Sequence, residues 1–286
     1  YGTLIAVSYQ GTVSAKKPVF PDLDGLWEQT RLAPENPSVD LTSYQVIPGV
    51  HGYEFDLADA KQQFQNLAYG ESTLISLHYT DPEIADEDAY FQDVLGHCET
   101  PHGDNENRNG NLRKACGMLD GLVLQPGQEL SYNEALGPRT KELGWLPAPA
   151  YSGTKLVDSP GGGICQVSST LYLASVYSEL TIVERRNHGY PVSYIPLGMD
   201  ATVSWGFADL KIRNDSPMPV KIQAEESDGY VRISILGTET RNYNVEMSYT
   251  VGGRYVRTYM SKIDKKTGEV ISKEPYALSG YMDDIY

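Results

Sequence analysis

The sequence predicts an α+β protein. Short helical patterns occupy its earlier part, alternating strands dominate beyond Thr181, and the aromatic set of 21 Tyr against 5 Phe and 3 Trp leans toward strand-forming residues. A side chain with an apolar body and a wet tip suits a half-buried pleated surface better than the interior of a helical bundle. The 286 residues allow two domains at ~100 to 200 residues each. A hydrophobic content of 40% can supply a core for both and excludes intrinsic disorder. With 23 Lys+Arg against 38 Asp+Glu the formal charge is −15, which argues against nucleic acid or an anionic membrane surface as partner.

The elements follow in order. Pro18 to Pro48 is rich in Pro, Asp and Asn and shows little periodicity. From Gly52 a short strand reaches Phe55. Asp56 then caps a helix, because a carboxylate there accepts bonds from orphan backbone N–H groups. Leu57, Ala60, Phe64 and Leu67 fall at helical spacing, Gly70 takes the closing C′ position, and Ser72 to Tyr79 alternates like a strand. The acidic stretch Asp81, Glu83, Asp86, Glu87 and Asp88 could ligate calcium if folded back on itself; a solvated linker is the simpler reading and places a domain boundary there.

Beyond the boundary, Asn111 is expected to cap a helix carrying Leu112, Ala115 and Leu119 and ending at Gly121. The run Ser159-Pro160-Gly161-Gly162-Gly163 excludes regular structure, and Ile164, Val167, Leu171 and Ala174 then mark one stripe of a helix whose first turn holds Cys165. Val220, Ile222 and Ala224 alternate inward, Asp228-Gly229 turns, and Val231, Ile233 and Ile235 return, the pattern of an antiparallel sheet. The Tyr-rich tail reads as an extra hairpin turning at Lys266 to Glu269. This divides the chain into 1–85, 86–238 and 239–286. No stretch approaches the ~20 apolar residues that span a bilayer. The chain begins at Tyr1 rather than Met, which leaves room for a signal peptide or anchor upstream.

Three cysteines, Cys98, Cys116 and Cys165, leave at least one thiol unpaired within the chain. A thiol in the first turn of a helix lies among unpaired N–H groups and the positive end of the dipole, both of which favour the thiolate. Cys165 meets that condition. The preceding glycines let a substrate approach the backbone and could offer N–H groups to an oxyanion, and Gln166 could add a side-chain donor. His188 is the candidate base, with Asp200 or Asp209 to orient it, in the order used by transglutaminase-like cysteine enzymes. The plain alternative makes Cys165 a small buried hydrophobe, the glycines a tight turn and His188 a structural histidine. Zinc ligation by His97, Cys98, Glu99, His102 and Asp104 matches no established spacing. A Cys98–Cys116 disulfide competes with it.

Residues 108–237 resemble the VanW-like family of bacterial cell-envelope proteins, named for an accessory member of a vancomycin-resistance cluster. The resemblance runs through Arg108 to Leu112, Leu119-Asp120-Gly121, Leu124 to Asn133 and Gly137-Pro138-Arg139-Thr140. It continues through Gly161-Gly162-Gly163-Ile164-Cys165-Gln166 to Tyr172, Glu184-Arg185-Arg186-Asn187-His188, and Pro191 to Val203. The region from Val39 to Thr80 is similar to a peptidoglycan-binding domain that commonly precedes VanW-like modules. The resemblance implies an extracellular protein of a Gram-positive-type envelope, held to the cytoplasmic membrane through an N-terminal segment outside this chain. Cys98 and Cys116 lie outside the family motifs, which suits a local disulfide and leaves Cys165 free.

Three functions follow. In the first, Cys165 attacks a carbonyl of a cell-wall peptide, His188 serves as base and acid, and Asp200 or Asp209 orients it, with no cofactor and no metal. In the second, the chain is a non-catalytic module in which Gly161 to Gly163, Gln166, Arg139, Arg185 and Arg186 cradle the carboxylates of peptidoglycan stems, since guanidinium forks match carboxylates. In the third, the chain is a scaffold whose tail docks a partner.

Overall fold

A computed structural model describes residues 5–8, 22–68, 71–152 and 155–285. They form two compact units, Tyr1–Ala89 and Tyr90–Tyr286.

The first unit pairs β1 (Ile5–Ser8) with β5 (Ser72–Ile75), β2 (Ser38–Asp40) with β3 (Gln45–Ile47), and β4 (Gly52–Glu54) with β6 (His78–Thr80), all antiparallel. Helices α1 (Leu23–Thr30) and α2 (Leu57–Gln65) complete it. Asp56 caps α2 as expected, its carboxylate accepting the Asp59 N–H at 2.9 Å. Phe55, Ala60 and Ile75 form a small core against Trp27, Leu57 and Leu77. The single strand expected from Ser72 to Tyr79 is two, because its halves hydrogen-bond to different partners, β1 and β4. Gly70 and residues 18–21 lie outside the described residues.

The second unit is built on a four-stranded antiparallel sheet, in the order β7 (Asp93–Pro101), β15 (Tyr230–Gly237), β14 (Val220–Ser227), β8 (Val123–Leu124). The alternation read in the sequence governs it: Val231, Ile233 and Ile235 on β15, and Val220, Ile222 and Ala224 on β14, all point into the core. Asp228 and Gly229 turn with φ of 53° and 79°, the doubly positive geometry whose twist matches a two-residue hairpin. Helix α5 (Ile164–Tyr177) packs on β7 and β15, and α3 (Glu106–Leu119) on β14.

A smaller sheet joins β12 (Thr181–Glu184), β13 (Lys211–Arg213) and β9 (Glu129–Ser131), the last leading into the short α4 (Tyr132–Leu136). The hairpin of β10 (Pro147–Ser152) and β11 (Lys155–Pro160) delivers the glycine run. The tail is a three-stranded antiparallel sheet of β16 (Tyr243–Gly252), β17 (Tyr255–Asp264) and β18 (Val270–Gly280), one strand more than a hairpin.

Two helices differ from the sequence reading. Helix α3 begins at Glu106 with Asn105 as its cap, so Asn111 lies inside it. The polar first turns, Asn107-Arg108-Asn109-Gly110, carry no apolar period and hid the true start. Helix α5 has no solvent face along most of its length, and Ser168, Ser169, Thr170 and Ser175 are as buried as its apolar stripe. Except for Ser175, whose Oγ has no partner among the described residues, their hydroxyls bond to carbonyls, including Ser169 to Cys165 O at 2.7 Å and Thr170 to Gln166 O at 2.8 Å. That satisfies polar groups which burial would otherwise penalise.

Asn111 fixes the glycine run in place. Its Nδ2 donates to Leu146 O at 2.9 Å and Gly162 O at 3.0 Å, and its Oδ1 accepts the Leu146 N–H at 2.9 Å. An Asn111→Ala substitution strands these buried groups, so urea denaturation should show a loss of roughly 2 to 3 kcal/mol. An Asn107→Ala change at an exposed position should cost under about 1 kcal/mol.

Candidate active site

Gly163 caps α5 in the left-handed region, at φ 104°, with no side chain closing the helix end. Each glycine of the run is demanded by its surroundings. A Cβ on Gly161 would lie 2.8 Å from Arg139 Cγ, one on Gly162 would overlap the Ala148 carbonyl, and one on Gly163 would lie 2.8 Å from Arg108 Cγ. Gly161 and Gly163 also have positive φ, which only glycine adopts without strain. The N–H groups of Gly161 and Gly162 donate to Leu146 O and Ser159 O at 3.1 and 3.0 Å. They are therefore not free for an oxyanion, contrary to the sequence expectation. Among the described residues the N–H groups of Gly163 and Cys165 have no protein acceptor.

Cys165 occupies the first turn of α5, half-buried, on the wall of a cleft of about 980 Å³. Over it passes the irregular segment 200–203. The Ser168 hydroxyl donates to Ala201 O at 2.7 Å, and Ser169 Oγ accepts the Ala201 N–H at 2.9 Å. This stitching brings the Val203 N–H to 3.5 Å from Cys165 Sγ and the Thr202 hydroxyl to 3.8 Å. Burial opposes ionisation of the thiol. The hydrogen bond and charge of His188, with the Val203 N–H and the Thr202 hydroxyl, outweigh it and hold the thiol below its ordinary range.

His188 connects the thiol to Asp200. Its Nδ1 is 2.6 Å from Asp200 Oδ2, and the same oxygen accepts the His188 backbone N–H at 2.6 Å. Burial works against the imidazolium, but hydrogen bonds to Asp200 and Cys165 and their charges raise His188 to about 9. Burial also works against the Asp200 carboxylate, which His188 and Arg185 nonetheless hold below the usual range. Asp200 Oδ1 accepts the Tyr281 hydroxyl at 3.1 Å. Tyr281 Oη in turn accepts the Gly198 N–H at 2.9 Å. The geometry sets a sulfur, an imidazole and an orienting carboxylate in series, with shifts that favour the thiolate and the imidazolium.

Of the residues expected at the site, the structure brings Cys165, His188 and Asp200 together. Asp209 is elsewhere: it accepts Ser131 Oγ and the N–H groups of Asn133 and Leu210. Arg139 and Arg186 line the cleft; Arg139 is tied to Gly137 O and Asn133 Oδ1, and Arg186 lies over the exposed Phe207 ring at 5.0 Å. Arg185 faces away from the cleft. It donates from Nε to Asp200 O at 2.7 Å and through its Nη atoms to Ser279 Oγ and Gly198 O, so it supports the orienting carboxylate. Gln166 is buried, with its Nε2 on Thr100 and Pro101. Its Oε1 accepts Arg108 Nη2 at 2.7 Å.

Cys98 and Cys116 are free thiols, not the expected disulfide. Each packs as a small hydrophobe in the core, and burial pushes both up to about 12. The zinc grouping also dissolves, because His97 and Cys98 alternate on β7, one exposed on Ser234 Oγ at 3.0 Å and the other buried. The sequence reading missed Arg108, Thr202 and Tyr281. Arg108 lay in plain view in a polar helix turn, whereas nothing local joins Tyr281 to Asp200.

Fold and site together define an α+β protein with Cys165, His188 and Asp200 gathered in series at the glycine-capped start of a buried helix. Residues 107–236 match the family described as VanW like protein. The chain is 31% identical over 207 residues to YoaR, an uncharacterized protein of Bacillus subtilis (strain 168), covering 69% of this chain and 67% of that one. It is 28% identical over 180 residues to the vancomycin B-type resistance protein VanW of Enterococcus faecalis (strain ATCC 700802 / V583), covering 58% of this chain and 66% of that one. This chain belongs to the VanW-like family. The matches span about two thirds of each relative. No solved structure matches.

Iodoacetamide should alkylate Cys165 in the native protein at pH 7, while Cys98 and Cys116 react only after unfolding. The rate should fall as pH drops through the lowered thiol pKa, because protonation removes the nucleophile. His188→Ala should slow alkylation at pH 7 by about tenfold or more, the consequence of losing a stabilising cation from the thiolate. Mass spectrometry of the alkylated peptides reads both outcomes.

Proposed function

We propose that this chain is a cell-envelope cysteine enzyme that cleaves or transfers an acyl group of a peptidoglycan peptide. The observation that carries the reading is the Cys165–His188–Asp200 series opening on a cleft, with the Gly163 and Cys165 N–H groups unclaimed beside the sulfur. Kinship with a protein named for vancomycin resistance supports a place in the envelope. The first unit would then hold the wall, outside the cytoplasmic membrane, with any anchor upstream of this chain.

The chemistry follows from the geometry. The Cys165 thiolate attacks the carbonyl carbon of an amide, and the developing oxyanion is met by the free N–H groups at the start of α5. The C–N bond breaks as the His188 imidazolium gives its proton to the leaving amine, which leaves a thioester on Cys165. Water or an acceptor amine then adds to the thioester and loses a proton to His188. Collapse expels the thiolate and restores the ion pair. Asp200 stays ionised and keeps His188 Nδ1 hydrogen-bonded, so that the other nitrogen faces the reacting atoms.

Incubation with purified muropeptides tests the reading by mass spectrometry. Wild type should shift their mass and Cys165→Ala should not; equal spectra from both would leave only a receptor for wall fragments. The rate should be bell-shaped in pH. It falls on the acid side as the thiolate is protonated, and on the alkaline side near about 9 as His188 loses the proton its leaving group needs.

A further inference from the structure

The cleft departs from the charge of the molecule. The chain carries −15 overall, yet Arg108, Arg139, Arg186 and His188 line the cleft and no Asp or Glu does, among the described residues. The three guanidinium groups are not equivalent. Arg139 is held by Gly137 and Asn133, and Arg186 lies at the exposed rim over Phe207. Arg108 is half-buried beside the nucleophile, close enough for its charge to be felt by Cys165. Its stem lies against Gly163, where only a missing side chain leaves room.

A single hydrogen bond, from Nη2 to Gln166 Oε1, is made by the Arg108 guanidinium among the described residues, and no carboxylate there pairs with it. Gln166 is itself pinned by Thr100 and Pro101, so one N–H of Nη2 is set, while its other N–H and those of Nε and Nη1 stay open and leave one fork of two neighbouring nitrogens to a ligand. A half-buried guanidinium with the Cys165 sulfur near it but no carboxylate partner is better satisfied once a carboxylate arrives. A planar, bidentate donor selects a carboxylate.

We propose that Arg108 is a specificity residue that takes a carboxylate flanking the scissile carbonyl, so that the cleft selects acidic peptides over their amidated forms. This rests on the reading of the cleft as the acyl-transfer site. Within peptidoglycan stems the carboxylate has two sources, the C-terminus and the free carboxyl of the isoglutamyl residue. Both present the same group to the fork.

The test uses Cys165→Ala, which binds without turnover, and three probes: a stem pentapeptide, its C-terminal amide, and the form amidated at the isoglutamyl carboxyl. In calorimetry, one of the amides should bind about 10- to 100-fold more weakly than the acid, the range for a charge-assisted hydrogen bond. Arg108→Met in the same background should weaken the acid by the same factor and leave that amide unchanged, with its thermal midpoint showing that it folds. Which amide loses affinity identifies the source. Equal binding of all three probes, no binding of the acid at millimolar concentration, or an equal loss for acid and amides in Arg108→Met would overturn the proposal. Discrimination by Cys165→Ala together with unchanged muropeptides from wild type would instead sink the acyl-transfer reading and leave Arg108 as the carboxylate receptor of a binding cleft.

Discussion

The buried carboxylate of Asp200 is the constraint around which the second unit is organised. At 1% exposure an ionised group is tolerable only if charge and hydrogen bonds replace the water it has lost. The replacements come from separate stretches, Arg185 and His188 after β12 and Tyr281 just past β18, while Gly198 and Ser279 hold the Tyr281 hydroxyl and Arg185 in turn. Removing one partner from a buried pair costs about 3 to 5 kcal/mol. An exposed pair such as Arg213–Asp215 is screened by solvent and contributes far less. The same carboxylate therefore orients an imidazole and joins the tail sheet to the core.

Three identical thiols show how position decides chemistry. At Cys98 and Cys116 burial, reinforced by nearby carboxylates such as Glu99 and Glu226, meets no opposing group and pushes both thiols up to about 12. Cys165 is opposed by burial too, but an imidazolium, a backbone N–H and a hydroxyl face it, and the balance reverses. Those partners are delivered by contacts that involve no titratable group: Ser168 and Ser169 hold segment 200–203 on α5, and Asn111 holds Gly162. Rigidity around the sulfur thus comes from buried hydroxyl and amide groups that a hydropathy pattern does not distinguish from surface polarity.

Charge works on two scales here. The overall excess of acid governs solubility and long-range encounter, and salt screens it beyond about 8 Å at physiological ionic strength. Inside the cleft only near neighbours matter, and those are guanidinium groups, aromatic rings and helix N–H groups. An acidic surface around a basic cleft disfavours nonspecific anions without weakening a ligand once it is seated.

Much of the architecture could be read along the chain, because strand alternation, the Asp228-Gly229 turn and the Asp56 cap are set by residues a few positions apart. So could the candidate cysteine and histidine, since a helix-opening cysteine after three glycines is a local signal and His188 lies in the stretch that matches the VanW-like family, whereas Asp200 and Asp209 stood as equal alternatives. Beyond local range the reading failed for definite reasons. Asn111 looked like a cap because caps and buried anchors use the same residue types. Arg185 looked like a ligand for substrate, yet a guanidinium satisfies an internal carboxylate equally well. The sequence by itself determined the elements, the inward faces and the candidate nucleophile, each a matter of nearest neighbours. Only the tertiary structure decided which acid meets the histidine, which arginine is left without a carboxylate partner and where the tail ends, because those depend on contacts between residues distant in sequence that no periodicity encodes.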